Sequence, residues 1–382
     1  MKAPPLLPIA PSWYPGHMRR FFTRLPELLA RTHIVLEARD SRLPLTSINP
    51  EFEAALERWR QSRSNGLCER IVVYTKRDLM PRWGEEPLRK VLSKHFNHRV
   101  HFTAEGKPHT IRRLHSDIVS LVKDRADQSS AFNVLVIGMP NVGKSTLLNG
   151  LRWINTAGAA KALRTSPLPG LTRTTSTPLK LHTDPLIYSV DTPGVMVPFL
   201  GRGEAGKERA MKLALAGNLA GIKESLFDTE TMCSYLLHKL YLFNPKAPAY
   251  MSVLPPSSPE PTTTGEFLES LATRLGALQK GGCLDLERAE RWFVHWWRTG
   301  GVIDHPSPFG WGFDFDFTPL LSGEAQPPGE EEVASLMETV VDDYVETLRS
   351  ESEDRVSLRQ EKKATREAKI KARMQRRANA IH

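Results

Sequence analysis

Five short apolar, β-branched runs punctuate the first half of the chain: residues 32–40 (THIVLEARD), 70–78 (RIVVYTKRD), 99–105 (RVHFTAE), 132–140 (FNVLVIGMP) and 185–194 (PLIYSVDTPG). Each ends in a polar or Gly/Pro cluster. Between most of them lie stretches with apolar residues at helical spacing, at 51–60, 86–95 and 111–123. Near-continuous apolar strands alternating with helices predict a parallel sheet covered on both faces. Residues 176–183 (STPLKLHT) alternate apolar and polar positions instead, which predicts a sixth strand pairing antiparallel at an edge.

After about residue 200 the strand pattern stops. Helical spacing returns at 206–221, 228–243, 264–278 and 285–300, the third opened by a Thr cap, with a Pro/Ser/Thr-rich loop over 244–264. The chain therefore divides into an N-terminal segment (1–30), an α/β domain (31–204) and a helical domain (205–303). A linker or extended arm (304–330) alternates aromatics with Asp before turning Pro/Gly-rich, and a helical tail (331–382) follows. Within 292–297 (WFVHWW), the spacing predicts Trp292, Phe293 and Trp296 in the core rather than stacked on bases.

Composition narrows the class without naming it. A chain of 382 residues, 40% hydrophobic and 25% charged, has ordinary globular proportions. No apolar run approaches the ~20 residues that a membrane-spanning helix needs. Cys68, Cys233 and Cys283 form no CxxC pair, which argues against a disulfide framework or a cysteine zinc site. The net charge of +9 is concentrated near the C-terminus. Ten Lys/Arg between Arg355 and Arg377 face only Glu361 and Glu367, a local net of +8 that leaves the body almost neutral. Such a tail suits phosphate backbones, RNA above all, and predicts salt-dependent association. The N-terminus carries Lys2, Arg19, Arg20 and Arg24 and no acid before Glu27, a mild likeness to a mitochondrial transit sequence.

The chemistry is specific. Gly138 to Thr146 (GMPNVGKST) fits GxxxxGK[ST] between a predicted strand and a predicted helix. Backbone N–H groups of Asn141, Val142, Gly143 and Thr146 would cradle phosphates, aided by the helix N-terminus. Lys144 would reach the β- and γ-phosphates, and the Ser145 hydroxyl would bind Mg²⁺. Asp191 to Gly194 (DTPG) ends another strand; Asp191 would hold the Mg²⁺ shell and the Gly194 N–H would sense a γ-phosphate. Between them, PLPGLTRTT (167–175) supplies Thr172 as a further Mg²⁺ ligand, with Thr174 and Thr175 as alternatives.

A guanine base needs a carboxylate that accepts from its N1–H and exocyclic amine, and a lysine stem against its ring. No tetrapeptide of that kind ends a strand downstream of Gly194. Upstream, Thr75-Lys76-Arg77-Asp78 does, and Thr103-Ala104 suits the short loop whose backbone N–H meets the guanine oxygen. All parts are present in rotated order, with base recognition before the phosphate loop. A sheet tolerates this because strands keep their places while the termini move.

The WYPGHM (13–18), EARDSRLPLTSINPEF (37–52) and GMPNVGKSTLLN (138–149) stretches carry a resemblance to the circularly permuted ribosome-assembly GTPases of the YlqF/YawG type. It covers about residues 12–300, and ERAMKLALAG and DTETMCSYLLHKL are closest to its mitochondrial branch. Thr75 stands where that family usually has Asn. The resemblance implies GTP and GDP as ligands with Mg²⁺, K⁺ coordinated by Asn141, and slow hydrolysis stimulated by a partner. That partner would be the large subunit of the mitochondrial ribosome, its rRNA and its ribosomal proteins. A monomer in the mitochondrial matrix is implied, at most peripherally associated with the inner membrane. Val195 occupies the place of the water-orienting glutamine of Ras-like enzymes. The resemblance offers His17 for that work, with a purely structural histidine as its alternative. A regulator of RNA or translation not dedicated to ribosome assembly is the rival reading.

Overall fold

The computed structural model describes residues 4–8, 16–62, 66–81, 84–96, 99–155, 178–195, 200–201, 203–219, 227–303, 310–311, 313–317, 329–348 and 350, the side chains of Gly16, His17, Gly310, Trp311 and Asp316 excepted. Thr172, the N-terminal part of WYPGHM and residues 351–382 of the basic tail lie outside them.

The six predicted strands are present: β1 (Ile34–Asp40), β2 (Glu69–Thr75), β3 (Arg99–Phe102), β4 (Phe132–Gly138), β5 (Leu179–Thr183) and β6 (Leu186–Asp191). They form one sheet in the order β3-β2-β1-β4-β6-β5, parallel throughout except for β5 at the edge. On one face Ile34, Leu36, Ile71, Val73, Val134 and Val136 pack under α4 (Pro108–Lys123) and α5 (Lys144–Asn155). On the other, Val35, Leu135 and Ile137 meet α1 (Gly16–Ala30) and α2 (Pro50–Gln61). Met18, Phe21, Leu25 and Leu29 line the buried stripe of α1 at helical spacing. Helix α3 (Glu85–Phe96) packs beside β3.

The later helices α6 (Gly203–Leu215), α7 (Thr229–Phe243), α8 (Thr264–Leu275) and α9 (Leu286–Arg298) share the second of these cores with the sheet rather than standing apart. Residues 1–337 accordingly form one compact unit. Asp228, Thr263 and Asp285 cap α7, α8 and α9 by accepting backbone N–H groups of their first turns. Helix α6 stops at Leu215, short of the expected 221. Gly217 takes a left-handed φ of 72°, and the N–H of Asn218 donates to the Leu213 carbonyl at 2.9 Å, closing a Schellman turn. In α9 the buried aromatics are Phe293 and Trp297, while Trp292 is 36% exposed. The expected Trp292 faces outward because the apolar stripe continues through Val294 and Trp297.

The segment after α9 returns to the sheet. A hairpin of β7 (Gly310–Trp311) and β8 (Phe315–Asp316) presents Phe313 and Asp314 at its turn. The Phe313 ring stacks on Trp297 at 4.6 Å, and its N–H donates to the Arg42 carbonyl at 3.1 Å. The Asp314 carboxylate accepts from the N–H groups of Leu45 and Thr46 at 2.9 Å and from the Thr46 hydroxyl at 2.6 Å. The second unit, from residue 338, is helical over its described residues as far as 348.

Candidate functional site

Because β1, β2, β3, β4 and β6 run parallel, their C-terminal ends share one edge, where ligands of open α/β sheets bind. Register sets Asp40 opposite Thr75, Ala38 opposite Gly138, and Val136 opposite Asp191. Every motif residue with a described side chain therefore arrives at this edge.

The phosphate loop leaves β4 at Gly138 and enters α5 at Lys144, whose amine donates to the carbonyls of Met139 at 2.7 Å and Gly138 at 3.3 Å. Burial pushes this lysine down to about 8, against the pull of Asp191. The Ser145 hydroxyl donates to Asp191 Oδ2 at 2.7 Å. Burial raises the Asp191 carboxyl, with Lys144 and Ser145 opposing it. A hydroxyl and a carboxylate side by side are a hard-oxygen donor set that fits Mg²⁺. Thr146 is half-buried in the first turn of α5, and the Gly143 carbonyl accepts from Leu147 N–H at 2.8 Å, opening that helix.

The DTPG turn lies directly on this loop. A Cβ on Gly194 would meet Pro140 Cα at 2.5 Å and its nitrogen at 2.7 Å, so only glycine allows the approach. Thr192 donates its hydroxyl to the Val136 carbonyl at 2.6 Å, and Val195 N–H donates to the Gly138 carbonyl at 3.1 Å. Val195 is fully buried, so its side chain faces packing rather than a water.

The guanine element joins the loop through Thr75, whose hydroxyl hydrogen-bonds to the Val142 carbonyl and lies 3.0 Å from the Arg39 carbonyl. Thr75 thus provides a direct tie to the phosphate loop. Lys76 holds a left-handed φ of 57°, a strained conformation for a lysine, and functional sites gather such residues. Its amine contacts Asp40 Oδ2 at 2.7 Å. Asp78 Oδ1 is buried and receives no hydrogen bond among the described residues. That is the acceptor a guanine N1–H and amine would satisfy. Arg77 N–H donates to the Thr103 carbonyl at 3.0 Å, which locks together the two segments expected to recognise the base. The Thr103 N–H is used by Tyr74 O at 2.8 Å, and the Ala104 N–H makes a long 3.3 Å bond to the Thr110 hydroxyl. Of the two, Ala104 is therefore the N–H more readily given to a base.

Asn141 also has a left-handed φ, 54°, and donates its amide to the Gly217 carbonyl at 2.9 Å. The structure thus brings together Thr75, Lys76, Asp78, Thr103, Ala104, Asn141, Val142, Gly143, Lys144, Ser145, Thr146, Asp191 and Gly194. Several supporting residues were given no role by the sequence, although Asp40, Arg42 and Asn49 lie in the EARDSRLPLTSINPEF stretch that carries the resemblance. Asp40, Arg42, Asn49 and Asn218 are all buried at or beside this edge, and Asn49 reaches the Val195 carbonyl at 3.4 Å while capping α2. A charged network lies behind it: Glu37 receives Arg39 Nε at 2.7 Å and Arg70 Nε at 3.0 Å, and Glu53 of α2 receives Arg39 Nη2 at 2.9 Å.

Comparisons with known proteins place the chain among GTPases. A family model described as 50S ribosome-binding GTPase matches residues 133–231. "Mitochondrial GTPase 1" of Schizosaccharomyces japonicus is 30% identical over 309 residues, 76% of this chain and 87% of that protein. "Mitochondrial ribosome-associated GTPase 1" of Xenopus tropicalis is 32% identical over 232 residues, 60% of this chain and 69% of that protein. Among solved structures, GNP-bound YlqF from T. maritima is similar with a TM-score of 0.45 at 21% identity, over 73% of this chain and 94% of that one. A relative 30% identical and matched over 87% of its length, together with a phosphate loop tied to the TKRD segment that precedes it in the chain, leads to one assignment: the chain belongs to the mitochondrial GTPase 1 family.

Proposed function

We propose that the chain is a GTP-hydrolysing assembly factor of the mitochondrial large ribosomal subunit, bound to that particle with GTP and released after hydrolysis. Two names among its relatives support the setting: mitochondrial ribosome-associated GTPase, and a family of 50S ribosome-binding GTPases. The observation that carries the timing is local. Gly194 rests on Pro140 of the phosphate loop, and Gly217, just beyond α6, accepts from Asn141 of the same loop. The nucleotide pocket therefore holds both ends of the segment containing α6, so a change at the γ-phosphate reaches the helical surface directly.

In this reading Lys76 packs on the guanine and Asp78 specifies it, with Thr103-Ala104 supplying an N–H. Lys144 neutralises phosphate charge. Ser145, Asp191 and Thr172 would hold Mg²⁺, which would supply charge neutralisation to the phosphates. Asn141 offers a side-chain oxygen to K⁺, and His17 orients the attacking water that Val195 cannot. The basic tail contacts rRNA by its phosphates. The protein works as a monomer in the mitochondrial matrix, with peripheral association at the inner membrane.

GTP turnover by the full chain, measured with and without purified mitochondrial large subunits, tests this. Stimulation, together with nucleotide-dependent co-sedimentation, is the expected result. Turnover indifferent to the subunit and no co-sedimentation would overturn the assembly reading and favour a regulator acting elsewhere on RNA or translation.

A further inference from the structure

Asp40 ends β1 in a fully buried position and belongs to none of the nucleotide motifs. Its Oδ2 meets the Lys76 amine at 2.7 Å. Arg42 grips the same carboxylate through its backbone N–H at 3.1 Å, its Nε at 2.9 Å and its Nη2 at 2.7 Å. The Asn218 amide donates to Oδ2 at 3.3 Å, from the turn that closes α6. These contacts hold the carboxylate of Asp40 in a single orientation.

The same turn is gripped from three other directions. Arg42 Nη2 reaches the Ala216 carbonyl at 2.9 Å, and Asn141 takes Gly217 O at 2.9 Å. Arg298 of α9 takes the carbonyls of Leu215 at 2.7 Å and Ala214 at 2.9 Å. Cationic and amide donors thus satisfy the carbonyls at the C-terminal end of α6, where the helix dipole favours them. Arg42 belongs to both arrangements, since one guanidinium spans Asp40 and Ala216. Its face also lies over the Trp297 ring at 5.2 Å, which fixes its plane.

We propose that Asp40 is a positioning residue for guanine-nucleotide binding. It holds Lys76 in its strained backbone conformation with the amine drawn to one side, leaving the aliphatic stem to lie flat against the base. Arg42 and Asn218 make that positioning conditional on the docked turn 214–218. The inference rests on the reading that Lys76 packs on guanine. Its physical basis is the ion pair: the amine of the half-buried Lys76 lies 2.7 Å from the buried Asp40 carboxylate, and while burial pulls the lysine down to about 8, Asp40 is the first group acting against that pull. A left-handed lysine that lost this contact would relax towards ordinary φ, carrying the stem off the ring. Affinity for nucleotide and docking of the α6 turn then rise and fall together, as linkage requires.

The test is a double-mutant cycle on the full chain, read as affinity for fluorescent GDP. Lys76→Ala alone must weaken binding; if it does not, the reading of Lys76 itself fails. Given that loss, Asp40→Asn should weaken GDP binding about tenfold in the parent, the scale of one charge-assisted hydrogen bond, and have almost no further effect in the Lys76→Ala background. Equal losses in both backgrounds would overturn the positioning role and leave Asp40 a structural residue. Asp40→Asn leaves Arg42 buried beside a neutral group and can impair folding. Asn218→Ala therefore provides a second route: about threefold weaker GDP binding in the parent, the low end of what one hydrogen bond contributes and fitting a long 3.3 Å contact, and no effect in Lys76→Ala. An Asn218→Ala effect that persists without Lys76, or no effect in the parent, would refute the link to the α6 turn.

Discussion

Asp78→Asn is the sharpest perturbation the site allows, because it exchanges one atom and leaves shape alone. Asp78 Oδ1 is buried without a hydrogen bond among the described residues. Leaving a buried polar atom unpaired costs about 1–3 kcal/mol, which guanine binding would relieve. Guanine would give the carboxylate two hydrogen bonds, each worth about 1.5–3 kcal/mol when the acceptor is charged. At about 1.4 kcal/mol per tenfold, losing both weakens GDP by roughly two to four orders of magnitude. Xanthine carries an oxygen where guanine carries its amine, so the new amide can donate to it. The assay is competition of GDP and XDP against a fluorescent nucleotide, on Asp78→Asn and on the parent. The expected result is a reversal of preference, with the melting temperature of the nucleotide-free variant undiminished because no existing contact is lost. A variant that still binds GDP within about threefold of the parent, less than one charge-assisted bond is worth, would refute guanine recognition by Asp78.

Other perturbations address the rest of the machinery. Gly194→Ala should displace the DTPG turn from Pro140 and cost about 1–3 kcal/mol of overpacking; calorimetry and turnover together read it, and unchanged turnover would sever this turn from catalysis. His17→Ala should slow hydrolysis while sparing GTP affinity; single-turnover assays decide, and an unaltered rate dismisses the histidine. Hydrolysis measured in K⁺ and in Na⁺ should differ in favour of K⁺, and Asn141→Ala should abolish the difference. Glu37 is held down to about 2 by Arg39 and Arg70 although burial alone would raise it. A depressed carboxylate stabilises the fold fully above its ordinary value of about 4.5 and loses that contribution as pH falls towards 2. Chemical denaturation between those pH values should show the parent weakening with acid and Glu37→Gln, already weak, changing less.

Much of this was readable along the chain because its signals are local. β-Branched runs gave the strands, and the alternation of 176–183 marked the one antiparallel edge, β5. GxxxxGKST and TKRD name their own chemistry, and a parallel sheet places their residues without further information. What escaped depended on contacts distant in sequence. Nothing near Asp40 announces a partner at Lys76 or at Asn218, 178 residues on. The apolar spacing of 206–221 ran past Gly217, whose left-handed turn ends α6 early. In α9 the spacing allowed several aromatic faces, and Phe313, arriving from beyond the helix, fixed Trp297 as the inward one. Thr172 and His17 rest on sequence alone, since the former and the side chain of the latter lie outside the described residues.

The hairpin at 310–317 imposes an order of events on the chain's own birth. The loop after β1 emerges early in synthesis, yet the carboxylate that its Leu45 and Thr46 N–H groups require belongs to Asp314, 269 and 268 residues later. Until that residue has left the ribosome, those buried donors have no acceptor and Trp297 has no Phe313 above it. Contacts of such sequence separation close last because their loop entropy must be overcome first. A nascent chain halted before the hairpin would therefore already hold its phosphate loop and its TKRD segment, while Leu45 and Thr46 still lack the Asp314 carboxylate and the Arg42 carbonyl still lacks the Phe313 N–H.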